Sequence, residues 1–330
     1  MDEQSQLRVE RQKKIDEVRR GISPVPEKLS WYCSDASIAR YLRARNWNVK
    51  KATRMLKETL KWRLEFQPDE IRWEDIASEA QSGKVYKSNC VDKKGRTVLV
   101  MRPSCQNTSS VAGQIKYFVY CMENAIFNLP PNQEQTVWLV DFWNFNLSNI
   151  SVKLTKDTAH VLQNHYPERL GVAIMYNPPR IFEQFWTVVR PFLEPKTRKK
   201  VKFVYKDDPS TKKIMEELFD MDQLESAFGG NNTEGFDIEK YALRMKEDDE
   251  KRRLFREKGE GNDEPAAPSC NGVIDVSSPS EDDCPSEDEE EKKDIRGISS
   301  SSAEGSHGSV QEGNLPVATM SLDDSGNVKA

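Results

Sequence analysis

The run His165-Tyr166-Pro167-Glu168-Arg169-Leu170-Gly171 sets a histidine, an acid and a base beside a proline and a glycine. Read generically, it is a helix exit and a turn into a strand, with Glu168 and Arg169 facing solvent. A buried Glu–Arg pair would instead be costly unless it joined a polar network or held a ligand. Further on, Lys196, Arg198, Lys199, Lys200 and Lys202 crowd together and offer cationic donors to an anion.

Bond-breaking chemistry finds less support. The sequence contains no GxSxG elbow, no P-loop and no GxGxxG after a strand. It has three histidines: His307 near the far end, and His160 with His165 on one predicted helix, a spacing that matches no metal motif. Asp141 closes an apolar strand and reads more readily as a turn or cap acid than as a catalytic group.

The element that leads into the basic run is a helix whose apolar positions are Ile181, Phe182, Phe185, Trp186, Val188, Val189, Phe192 and Leu193. Pro178 and Pro179 suit its first turn, and Pro191 and Pro195 bring it to an end. Such a stripe packs on a sheet as core, or else meets a membrane or covers a ligand. Burying Phe182, Phe185, Trp186 and Phe192 removes about 150–250 Å² each from water, worth roughly 15–25 kcal/mol in all. A fraction of that would hold a domain on a bilayer.

Of the 330 residues, 31% are charged and the mean hydropathy is −0.76, so part of the chain lies outside any core. Residues 256–330 hold 18 acidic and 6 basic side chains, against 36 acidic and 43 basic in residues 1–255. A basic body with an acidic tail favours an anionic partner for the body. Six cysteines without metal spacing read as reduced thiols in a cytosolic protein. No stretch approaches eighteen uninterrupted apolar residues, and neither a signal peptide, a myristoylation glycine nor a CaaX cysteine is expected. The expected localisation is therefore cytoplasmic, with peripheral and transient membrane association.

In chain order, residues 1–28 read as a charged segment ending in the breaker ISPVPEK, with the folded part beginning after it. Residues 29–76 carry two helices, from Ser34-Asp35 and over Val49 to Phe66. Residues 77–236 alternate strands (Thr97 to Arg102, Thr136 to Asp141, Val172 to Tyr176, Val201 to Tyr205) with helices, predicting a mainly parallel sheet. Residues 237–255 read as a charged surface helix. Residues 256–330, rich in Ser, Gly, Pro, Asp and Glu, predict a disordered tail. Ser280 and Ser286 precede acidic runs there, a pattern suited to acidophilic kinases.

The runs YLRARNWNVKKATRML, KWR (Lys61 to Arg63), DKKGR (Asp92 to Arg96), NHYPERLG (Asn164 to Gly171), NPP (Asn177 to Pro179), PFLEPKTRKKV (Pro191 to Val201) and FGG (Phe228 to Gly230) fall in order between Trp31 and Phe236. Together they resemble the CRAL-TRIO lipid-binding family, and more closely its phosphatidylinositol-transfer branch. The resemblance implies a helical N-terminal bracket on a mixed α/β lobe whose sheet floors an apolar cavity for one lipid. It implies that Arg45, Glu168, Arg169, Thr197 and Lys200 hold the phosphatidylinositol headgroup. It makes the Phe182 to Leu193 helix a gate, with Phe182, Phe185, Trp186, Val189 and Phe192 as gate and membrane contacts. Asn46 stands where the branch often has Lys, and the family's hydroxyl position for a second lipid falls near Asn146.

The resemblance further implies a monomeric carrier with no catalytic residues, metal or cofactor besides its bound phospholipid. Its partners would be phospholipid membranes, phosphatidylinositol and a lipid kinase, and not nucleic acid. Two other readings stay open: a carrier of a sterol or isoprenoid in the same cavity, and an α/β enzyme built on Asp141 and a histidine.

Overall fold

A computed structural model describes residues 2–260 apart from 147, 149 and 150. The acidic tail expected over 256–330, with Ser280 and Ser286, lies outside the described residues from 261 onward.

The first helix, α1 (Glu3–Ile22), is capped by Asp2, whose carboxylate accepts from the Ser5 N–H at 2.7 Å. The sequence reading set residues 1–28 apart from the folded part, and the structure corrects it. Ile15, Val18 and Ile22 are buried with Leu29, Ile38, Leu42, Leu56 and Leu60 in one core. Three apolar side chains on one face suffice to bury a helix whose other faces are charged.

Helices α2 (Asp35–Ala44) and α3 (Val49–Phe66) complete this N-terminal unit. Between them Asn46 and Trp47 both take left-handed backbone, φ 49° and 58°, which reverses the chain before Asn48 caps α3.

The rest of the chain adds α4 (Trp73–Ala80), β1 (Val85–Val91), β2 (Thr97–Met101), α5 (Val111–Phe127), β3 (Thr136–Asp141) and α6 (Val152–His165). Then come β4 (Leu170–Tyr176), α7 (Arg180–Val189), α8 (Pro195–Lys199), β5 (Val201–Val204), α9 (Pro209–Leu218) and α10 (Ile238–Glu260). Among the described residues the strands form one sheet in the order β1-β2-β3-β4-β5, with β1 antiparallel to β2 and the other neighbours parallel. The mixed, mainly parallel α/β class expected from the alternation of strands and helices is therefore observed.

The edge strand β1 escapes the sequence pattern because VYKSNCV mixes polar and apolar residues. It is joined to β2 by Asp92-Lys93-Lys94-Gly95-Arg96, where the Asp92 carboxylate accepts from the Lys94 and Arg96 backbone N–H groups and Gly95 supplies a φ of 73°.

Helix α10, expected as a charged surface helix, instead buries Tyr241, Met245, Asp248, Asp249 and Arg252. Its burial is made tolerable by pairing: Lys87 Nζ reaches Asp248 at 2.7 Å, Arg252 reaches Asp249 at 2.5 Å, and the Trp73 N–H donates to Asp249.

Register places Met101, Val140, Met175 and Phe203 side by side across β2, β3, β4 and β5. This transverse apolar row is the platform on which α7 rests.

Candidate functional site

The turn from α6 into β4 is built around Glu168, which takes a left-handed φ of 58° directly after Pro167. A side chain with a Cβ adopts that backbone at a cost of about 1–2 kcal/mol, so neighbouring contacts must hold it there. The Arg169 carbonyl supplies one: it accepts from both the N–H (2.8 Å) and the hydroxyl (3.1 Å) of Thr136 at the start of β3.

Arg169 is half-buried and donates to the Glu134 carbonyl at 2.9 Å. The Glu134 carboxylate is in turn clamped by Arg40, at 2.7 Å, and by Arg43. Burial pulls the Arg169 pKa down to about 10, and the nearby Arg40 charge adds to the effect. Burial acts to raise the Glu134 carboxyl, but Arg40 and Arg43 outweigh it and hold that carboxyl below its usual value.

Lys200, at the end of α8, extends its ammonium to within 3.4 Å of Glu168. Thr197 lies half-buried in α8, and its carbonyl accepts from the Lys200 N–H at 3.1 Å. Arg45, at the end of α2, pairs with Glu194 at 3.1 Å. Glu194 thus orients Arg45, while Glu168 faces Lys200. Lys196 ties the same segment to the N-terminal unit through the Asn46 side chain (2.6 Å) and the Arg43 carbonyl (3.2 Å). Arg40, Arg43, Arg45, Arg169, Lys196 and Lys200 thus surround Glu134, Glu168 and Glu194, leaving a surplus of three positive charges. The structure brings the elements bearing Arg45, Glu168, Arg169, Thr197 and Lys200 into this one polar region.

Helix α7 lies against the apolar row. Phe182 is 5% exposed, with its ring centroid 4.3 Å from Phe142, 5.9 Å from Phe145 and 6.5 Å from Phe203. Val189, about two turns further along α7, is also buried, while Phe185 and Trp186 are half-buried. These rings form a cluster with Val140, Met175 and Met101 that meets the main core at Met101. Phe192 stands 37% exposed, with the Lys156 ammonium 5.2 Å from its ring centre.

The expected continuous helix to Leu193 stops at Val189. Pro191 turns Arg190–Phe192 into a 3-10 turn. Gln163 of α6 fastens that end, donating to the Phe192 carbonyl at 2.9 Å and accepting from the Glu194 N–H at 2.5 Å.

Asp141 accepts from the Trp143 N–H at 2.9 Å, a turn contact, and lies 3.7 Å from Arg102. His165 stacks on Trp62 at 4.2 Å and shares a 3.2 Å hydrogen bond with Thr59; burial pushes its pKa down to about 4. Among the described residues no group of His, Cys, Asp and Glu is placed to hold a metal ion. The residues that sequence reasoning missed are Glu134 and Gln163, single polar residues outside the quoted runs, and Glu194, which lies within PFLEPKTRKKV but had no assigned role. Arg43 lies in the LRAR run and Arg40 just before it, and neither has a partner that the sequence assigns.

Residues 10–58 match the CRAL/TRIO N-terminal domain and residues 80–230 the CRAL/TRIO domain. The chain is 36% identical over 218 residues to the CRAL-TRIO domain-containing protein C23B6.04c of Schizosaccharomyces pombe, covering 66% of this chain and 21% of that protein. It is 30% identical over 220 residues to phosphatidylinositol transfer protein PDR17 of Saccharomyces cerevisiae, covering 63% and 60%. It is 26% identical over 217 residues to phosphatidylinositol transfer protein CSR1 of Eremothecium gossypii, covering 62% and 48%. The chain thus spans between about a fifth and three fifths of these relatives' lengths. The crystal structure of Sfh5 superposes with a TM-score of 0.51 at 18% identity, over 71% of this chain and 82% of that one, a likeness of fold.

Proposed function

The chain belongs to the CRAL-TRIO family, and from that premise we propose that it binds one phospholipid, phosphatidylinositol, and transfers or presents it between membranes. The observation that carries this reading is the half-buried Arg169 set in a cluster with three surplus positive charges, an environment that a phosphate would stabilise. Two similar proteins named as phosphatidylinositol transfer proteins support the same cargo.

In this reading Arg169 and Lys200 donate to the phosphodiester, and Thr197 adds a hydroxyl donor. Glu168 accepts from inositol hydroxyls, and Arg45 leaves Glu194 for the headgroup. Asn46, a neutral amide, adds no charge there, and its side-chain oxygen accepts from Lys196.

The acyl chains require a cover. At about 0.8 kcal/mol per methylene, two chains of about sixteen carbons cost on the order of 25 kcal/mol to expose to water. Helix α7 supplies the cover and swings outward at a bilayer about Pro179 and the Lys196 to Arg198 segment. The reading involves no bond making or breaking. Among the described residues no helix is long and apolar enough to cross a membrane, which suits a carrier that works from the cytoplasm and meets membranes at their surface.

Lipids extracted from the purified Arg169→Ala and Lys200→Ala variants test the headgroup assignment. Each lost charge-assisted hydrogen bond is worth about 1.5–3 kcal/mol, so phosphatidylinositol loading should fall at least tenfold in each variant. Normal loading in both would overturn the assignment. A sterol or isoprenoid carrier would be indifferent to either substitution.

A further inference from the structure

A cleft of about 270 Å³ opens where the edge strand β1 meets the start of α10. Tyr86, Ser88 and Asn89 of β1 line one side, and Phe236, Lys240 and Arg244 the other. Its volume is close to the lower end of the range of about 300–1,000 Å³ found for small-molecule sites. It is not part of the lipid site. Val85 pairs with Met101, in the row beneath α7, and Tyr86, one residue on, sends its side chain to the opposite face of the sheet.

The walls are aromatic and fixed by the backbone. The Tyr86 ring lies 4.9 Å from Phe236, and Phe236 lies 5.4 Å from Tyr241. Phe236 sits over Gly83, whose φ is 66°; a Cβ there would come within 2.5 Å of the ring. The Tyr241 hydroxyl accepts from the Lys87 N–H at 3.2 Å, which holds α10 to the strand. Pairing of β1 with β2 is irregular between Lys87 and Val91, and Ser88 and Asn89 belong to that stretch.

Charges around the cleft are unequally satisfied. Glu225, at its base, accepts from the Tyr86 hydroxyl at 2.7 Å, from Arg102 at 3.3 Å and from the Ser88 hydroxyl at 3.4 Å. Arg244 has no such match. It donates to the Lys87 carbonyl, and its Nε is buried without a hydrogen-bond partner among the described residues. Asp248, the acid whose charge it feels, is already held by Lys87 at 2.7 Å and Lys251 at 3.5 Å. Burial pulls the Arg244 pKa below its ordinary value, so an anion beside it would stabilise the charge. Lys240 adds an exposed ammonium. Glu234 and Asp237 stand exposed at the rim, and Asp237 also caps α10 by accepting from the Glu239 and Lys240 N–H groups. These two carboxylates oppose multiply charged ligands.

We infer that this cleft is a second ligand site, taking a small monoanion, a carboxylate on a flat apolar body, with the carboxylate at Arg244 and Lys240 and the body against Phe236. The inference is independent of the lipid-carrier reading, since the cleft shares no residue with the headgroup cluster or α7.

The test is titration of the full chain with 2-naphthoate, read by amide chemical shifts. Residues 86–89 and 236–244 should shift in one saturable step, and those of α7 should not. 2-Naphthamide, which keeps the rings without the charge, and acetate, which keeps the charge without the rings, should each bind at least about tenfold more weakly. Lys240→Gln should weaken naphthoate about two- to fivefold, as expected for an exposed charge. Arg244→Gln should weaken it more, and the surface Lys240→Gln still decides the matter if Arg244→Gln fails to fold.

Absence of saturable binding at millimolar naphthoate, equal binding of 2-naphthamide, or unchanged binding by Lys240→Gln would overturn the inference. So would shifts confined to α7 and residues 168–200, which would place the probe in the lipid site. If naphthoate shifts β1 and α10 while Arg169→Ala and Lys200→Ala load phosphatidylinositol normally, the headgroup reading fails and the second site stands.

Discussion

Replacing Phe182 by Ala separates a gate from a piece of core. The side chain is 5% exposed and its ring touches those of Phe142, Phe145, Phe185, Trp186 and Phe203. Deleting a buried Phe from a core costs about 3–5 kcal/mol of global stability. This cluster, however, meets the main core at Met101 and holds one helix to the sheet. If α7 opens on its own, the loss falls first on closure of the helix, and the global cost cannot exceed the free energy of that closure.

Hydrogen exchange reads both quantities. Amides of α7 in Phe182→Ala should exchange about 10²-fold to several 10³-fold faster than in wild type, following 3–5 kcal/mol at 1.4 kcal/mol per decade. Amides of α5 should accelerate less. The denaturant midpoint should fall by correspondingly less than a core deletion implies, at unchanged slope. If α7 and α5 amides are equally protected in wild type and accelerate by one common factor in the variant, α7 opens only when the whole protein unfolds, and the gate argument fails.

Two further outcomes follow from the polar contacts. Glu194→Gln removes the charge that holds Arg45; the pair is partly exposed and worth about 1 kcal/mol or less, so phosphatidylinositol loading should rise a few-fold at low salt and converge with wild type at high salt. Weaker loading at low salt would contradict the competition between Glu194 and the headgroup. His165 is held neutral in the fold, its pKa down to about 4 from an ordinary value of 6.5. Its contribution to stability is therefore complete above pH 6.5 and is lost as pH falls from 6.5 toward 4, because the unfolded chain takes up a proton that the folded chain refuses. The wild-type unfolding free energy should drop across that window by about 2–3 kcal/mol more than that of His165→Gln, as read by urea denaturation. Parallel pH curves for the two proteins would refute the assignment of a buried neutral imidazole.

Sequence pattern carried the parallel strands well, because Thr136–Asp141 and Leu170–Tyr176 are nearly unbroken apolar runs bounded by turns. It carried the helix over the sheet through the spacing of Phe182, Phe185, Trp186 and Val189. It failed where burial is made tolerable by partners distant in sequence. Lys87, Asp248 and Arg252 are buried in ion pairs, so α10 reads as a surface helix and β1 escapes the pattern until their partners are known. Helix α1 failed for a related reason: its three buried side chains are a small minority of a heavily charged segment.

The candidate site divides the same way. Glu168, Arg169, Glu194, Thr197 and Lys200 sit in recognisable runs, whereas Glu134 acquires meaning only through Arg40 and Arg43, and the pairing of Glu194 only through Arg45, far away in sequence. No local period or spacing encodes such a pairing.

The most direct test of the central claim is mass spectrometry of lipid extracted from the full-length protein after incubation with mixed membranes. The account predicts phosphatidylinositol at about one molecule per chain, reduced in Arg169→Ala and Lys200→Ala. A neutral sterol or isoprenoid in its place, or no bound lipid at all, would contradict it.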